Sequence, residues 1–75
     1  MFSPEEWVAA EMKNRIRELR TERGWRQEDL AQKAGVTRQT INAIENDKYN
    51  PTLVLAMKLA RLLNIPVEDL FQFKG

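Results

Sequence analysis

One stretch constrains this chain more than any other: Gln27-Glu28-Asp29-Leu30-Ala31-Gln32-Lys33-Ala34-Gly35-Val36-Thr37-Arg38-Gln39-Thr40-Ile41-Asn42-Ala43-Ile44-Glu45. It predicts two short helices joined by a tight turn. Leu30 and Ala31 give the first helix an inward face. Gly35 falls at a helix C′ position, where φ turns positive and a Cβ would clash. Val36 fills the turn. Thr37 offers its hydroxyl to a free backbone N–H at the start of the next helix. Ile41 and Ile44, three apart, turn an apolar face inward. Arg38, Gln39, Thr40, Asn42 and Ala43 remain outside, a short polar face with little acid on it.

Seventy-five residues allow one domain, residues 1–75. Burial is marginal at this size, which favours an efficient helical core or a partner chain. There is no Cys and no His. That removes disulfides, thiol chemistry and the usual zinc and imidazole ligands. The remaining acids and lysines are scattered, so no enzyme activity, metal or cofactor is expected, and no small-molecule site is evident. Glu5-Glu6 and Glu68-Asp69 are adjacent pairs at helix starts, and sequence neighbours on a helix do not face each other. No apolar run approaches the roughly 20 residues of a membrane span, and no signal-peptide pattern occurs. A cytoplasmic protein without a membrane partner is expected.

The net charge is only +1, but its distribution matters more. Residues 1–12 carry Glu5, Glu6 and Glu11 and no base. Residues 13–48 carry nine basic and six acidic side chains, and residues 49–75 three and two. The positive excess coincides with the two-helix stretch. Such a helix-turn-helix presents the N-terminal end of its second helix to the DNA major groove. Arg38 suits guanine O6 and N7, and Gln39 suits adenine N6 and N7.

The rest of the chain supplies a helical frame. Ser3, Pro4 and Glu6 form a capping box with Pro at the first helical position, and Phe2 and Trp7 are spaced for a hydrophobic staple. Val8, Met12, Ile16 and Leu19 make one stripe, which predicts a long first helix from about Pro4 to Arg23. Residues 1–12 would be its helical extension, with a break near Glu11-Met12 as the alternative. Phe2, Trp7 and Val8 cover their own core or a dimer seam, or else dock a partner. Trp25 follows the Gly24 stop as a core plug. Arg26 occupies an N-cap position that Arg suits poorly. Arg15, Arg17 and Arg23 read as a solvated face. After Glu45, Asn46 or Asp47 must take positive φ. Thr52 caps a helix to about Leu63 that is apolar on most sides, and Asn64 suits its C′ position. Ile65–Phe71 predicts a last short helix. Phe71-Gln72-Phe73-Lys74 alternates like a strand, which would need the same strand of a second chain to pair with.

Gln27–Ala31, Gly35–Ile41, Ile44-Glu45-Asn46 and Lys48-Tyr49-Asn50-Pro51 closely resemble the phage-repressor/Cro-type helix-turn-helix family of bacteria and archaea, the XRE-type regulators. The resemblance spans about Lys13 to Phe71 and is greatest to small stand-alone members. It implies an all-α, five-helix lambda-repressor-like DNA-binding domain. It further implies a homodimer on double-stranded DNA, a roughly palindromic operator and transcriptional repression. By that resemblance Arg38, Gln39, Thr40 and Ala43 read bases. Gln27, Thr37, Asn46, Lys48 and Tyr49 touch the DNA backbone, and Asn42 flanks them. Arg20 and Glu45 match a partly buried pair tying the first helix to the recognition helix. Arg26 and Asp47 depart from the family's usual cap and usual Gly. Surplus apolar groups at Leu53, Leu63, Phe71 and Phe73 suggest a dimer interface. The alternative function is a protein-interaction module on the same scaffold, antitoxin-like or coactivator-like.

Overall fold

A computed structural model describes residues 12–73. In chain order these form β1 (Met12–Asn14), α1 (Ile16–Glu22), α2 (Gln27–Ala34), α3 (Arg38–Glu45), α4 (Leu53–Leu62), α5 (Val67–Leu70) and β2 (Phe71–Phe73). No helix among the described residues is long and apolar enough to cross a membrane.

Local chemistry sets most of the boundaries. Thr37 accepts from the Thr40 N–H at 3.2 Å and Thr52 from the Leu55 N–H at 3.2 Å, so α3 and α4 start where their hydroxyl caps stand. At α2 the Arg26 side chain has no oxygen to offer. Asp29 instead reaches back to the Arg26 backbone N–H at 2.8 Å, the reciprocal half of a capping box. That bond is the first cause of the lowered Asp29 pKa. Helices α1 to α4 close alike. A left-handed residue (Gly24, Gly35, Asp47, Asn64) reverses the chain. The next N–H then reaches back to Arg20, Ala31, Ala43 or Ala60 O at 2.8–3.1 Å.

The inward stripes meet in one core. Ile16, Leu30, Ile41, Ile44, Leu59, Leu63 and Leu70 are its largest fully buried side chains. Each contributes about 1.5–3 kcal/mol relative to exposure. Trp25, Val36, Ile65 and Val67 pack on its rim, and the Trp25 ring lies under Lys33 Nζ at 4.9 Å.

Three expectations are corrected here. First, Met12–Asn14 is a strand, not part of a helix. It pairs antiparallel with Phe71–Phe73 of the same chain, Met12 opposite Phe73 and Asn14 opposite Phe71. The terminal strand therefore finds its partner within its own chain. The Arg15 N–H extends the ladder to Leu70 O at 3.0 Å. The stripe Met12, Ile16, Leu19 fits a helix by spacing, but Asn14 accepts the Ile16 N–H at 3.1 Å and α1 starts there. The expected helix over 4–11 and its capping box lie outside the described residues. Second, Leu63 and Phe71 are buried in the core of one chain, so they are not surface for a second copy. The Phe73 side chain lies outside the described residues. Third, Arg23 is not merely solvated: its guanidinium donates to Leu19 O and Leu63 O, tying α1 to the end of α4.

Candidate nucleic-acid interface

Helix α3 owes its aim to its inner residues. Ile41 and Ile44 are fully buried, which forces the opposite face outward. Arg38 and Gln39 occupy the first turn and are exposed. That turn holds no acidic residue, and none of the ion pairs among the described residues engages Arg38. Thr40 is half-buried, and its hydroxyl lies 3.0 Å from that of Thr37. Ala43 is half-buried one turn further on, and Asn42 is exposed. The N-terminal half of α3 thus offers a guanidinium and an amide free to turn toward base edges.

The C-terminal half is built differently. Glu45 receives Arg20 Nε at 2.8 Å and Arg20 Nη2 at 3.2 Å, a two-pronged pair. Gln27 Nε2 donates to the same carboxylate at 3.1 Å and Arg17 Nε at 3.2 Å. Arg20 spends its remaining nitrogen on Trp25 O at 2.8 Å. Burial pushes the Glu45 carboxyl up, but the hydrogen bonds of Arg20, Gln27 and Arg17 outweigh it and hold the group below its ordinary value. One acid therefore joins α1, α2 and α3.

Around this clasp sit several of the sequence-derived backbone residues. Asn42 donates to Gln27 Oε1 at 3.4 Å, and Asn46 donates to Asn42 O at 2.8 Å. Gln27, Asn42, Glu45 and Asn46 therefore form one group. Thr37, at the far end of α3, is separate and serves as its cap. Lys48 and Tyr49 are exposed on the loop after Asp47.

Two members of the site escaped the sequence reading. Arg17 joins Glu45 and donates to Asn46 Oδ1 at 3.3 Å; its three-residue spacing from Arg20 is shared by Arg23 and so did not single it out. Asn14 donates to Ile44 O at 2.9 Å and to Asp47 Oδ1 at 3.1 Å. It braces the end of α3 from the sheet, and nothing local announces that. Of the residues assigned to a dimer seam, Leu53 is 71% exposed, and Val54 and Met57 beside it are 71% and 53% exposed. No group of His, Cys, Asp or Glu among the described residues could hold a metal.

Comparison with known proteins agrees with this geometry. The helix-turn-helix family pattern matches residues 16–70. An uncharacterised HTH-type transcriptional regulator of Archaeoglobus fulgidus is 55% identical over 62 residues, 83% of this chain and 89% of that protein. Among solved structures, the restriction-modification controller protein C.AhdI from Aeromonas hydrophila superposes with a TM-score of 0.67 at 40% identity, over 73% of this chain and 80% of that one. SinR, a master regulator for biofilm formation solved in complex with DNA, gives 0.66 at 33% identity, over 72% of this chain and 87% of its own. The matched pattern covers most of the chain and the relatives align along most of their length, so this chain belongs to the XRE-type helix-turn-helix family of transcriptional regulators.

Proposed function

We propose that this chain is a homodimeric repressor that reads an inverted-repeat operator, each α3 entering one major groove. The supporting observation is the first turn of α3: exposed Arg38 and Gln39 without an acid beside them. Arg38 then reads guanine and Gln39 adenine, with Thr40 and Ala43 in apolar contact with thymine methyls. Gln27, Thr37, Asn42, Asn46, Lys48 and Tyr49 hold the duplex backbone, which sets register but carries no sequence information. The exposed apolar face of α4, Leu53 with Val54 and Met57, is the dimer surface in this reading. Two α3 helices then lie about one DNA turn apart, roughly 34 Å. A dimer seated across a promoter represses by excluding other proteins from it.

Selection from a pool of random DNA duplexes at near-physiological salt tests the reading. Recovery of an inverted repeat with half-sites one turn apart is the expected result. No enrichment over background would overturn sequence-specific binding. The same α4 face favours the second reading, a protein-interaction module. A clean dimer mass by light scattering, without a co-purifying protein, speaks against it.

A further inference from the structure

We infer that Arg17 is a phosphate-binding residue of the DNA face, aimed there by Glu45 and Asn46. The inference rests on the DNA-binding reading above and adds a contact from α1, outside the helix-turn-helix itself. The first ground is charge. The single carboxylate of Glu45 faces two guanidinium groups, Arg20 at 2.8 Å and Arg17 at 3.2 Å. The Arg20 side chain is 11% exposed and is committed on three nitrogens to Glu45 and Trp25 O. Arg17 is 59% exposed. The surplus positive charge of the cluster therefore sits on Arg17, at the solvent side.

Of the acids near it among the described residues, Glu18 is paired with Arg15 at 2.8 Å, while Asp47, which receives the neutral amide of Asn14 at 3.1 Å, keeps its negative charge and offsets part of the surplus. The second ground is direction. Arg17 uses Nε on Glu45 and Nη2 on Asn46 Oδ1 at 3.3 Å. Among the described residues this leaves three of its five guanidinium N–H groups without a partner, in the planar fork that suits phosphate oxygens. Arg17 also lines an open hollow of about 480 Å³ with Asn14, Thr21, Glu45 and the Arg15–Glu18 pair, which leaves a phosphodiester room to approach. The third ground is the helix end. The C-terminus of α3 carries partial negative charge, which repels a phosphate backbone unless a cation covers it. Arg17, bonded to Asn46 just past that terminus, is such a cation. As a brace it is redundant, because Glu45 keeps Arg20 and Gln27 without it.

The test titrates wild type, Arg17→Ala and Arg17→Lys with a mixed-sequence DNA duplex over a series of salt concentrations, and follows thermal unfolding of each. Losing one phosphate contact lowers the slope of log affinity against log salt by about one. Over a fourfold rise in salt, Arg17→Ala is then expected to lose about 3.5-fold less affinity than wild type. Its melting temperature stays at the wild-type value, and Arg17→Lys keeps the wild-type slope. An unchanged slope with lowered melting would make Arg17 a brace and overturn the inference alone. Absence of binding by wild type itself would overturn the DNA-binding reading along with it.

Discussion

The two ends of α3 are opposites. At the N-terminal end Arg38 and Gln39 stand exposed, and the Thr37 cap orders the backbone beneath them. At the C-terminal end Glu45 is held by Arg20, Gln27 and Arg17, and Asn14 takes the Ile44 carbonyl. A reading helix needs both. Side chains that meet bases must be free of partners within the protein, or binding begins by breaking those contacts. The backbone carrying them must not move, or the hydrogen-bond geometry is lost. Polar satisfaction at one end therefore supports polar freedom at the other.

The largest expected effect comes from breaking the held end. Glu45→Ala leaves Arg20 buried with half its partners, and a stranded buried charge costs about 3–5 kcal/mol. Denaturant unfolding measures this. A loss under about 1 kcal/mol would mean that the clasp is ornamental. The same group sets a pH dependence. The Glu45 pKa is lowered in the fold, so its contribution is present above the ordinary carboxylate range near about pH 4. It is lost as pH falls through the lowered value. Wild type should weaken in that acidic window more steeply than Glu45→Gln, as pH-resolved melting would reveal.

The free end should respond in specificity rather than stability. Arg38→Ala is expected to lose about 1–3 kcal/mol of discrimination at one base pair with unfolding unchanged. Equal loss across all sequences would demote Arg38 to a phosphate contact. Between the two lies Thr37→Ala, which removes the cap of α3 and should cost about 1 kcal/mol of stability. The smallest effect belongs to Asp47→Gly. Glycine relieves a left-handed residue at φ 59° but forfeits the bond from Asn14, so stability stays within about 0.5 kcal/mol. Removing the acid should tighten binding to DNA. Weaker binding would show that the Asn14–Asp47 link positions the loop.

The turns and caps were legible in the amino-acid order. Gly35 and Asn64 take the positive φ expected of them, and of the pair Asn46 and Asp47 it is Asp47 that does; Thr37 and Thr52 cap as expected. These are interactions across two to five residues, so neighbouring residue types announce them. The outward face of α3 followed from the spacing of Ile41 and Ile44. The strand pair did not. Met12 and Phe73 are partners across the whole chain, and the stripe through Met12 and Ile16 serves a helix equally well. Arg17 was indistinguishable from Arg15 and Arg23 as a charge on a helix surface. Tertiary contact separated two of them, α3 bringing Glu45 to Arg17 and the end of α4 bringing Leu63 O to Arg23, while Arg15 pairs locally with Glu18.

Residue order by itself therefore determined where the helices stop and which residues α3 turns outward, because capping, φ and periodicity are local. Tertiary structure decided which apolar groups remain at the surface. Leu63 and Leu53 are alike as residues, yet one is buried and the other is 71% exposed. It also decided which charges are spent inside the protein and which are left over. Those outcomes depend on segments far apart in the chain, and no window of neighbouring residues contains them.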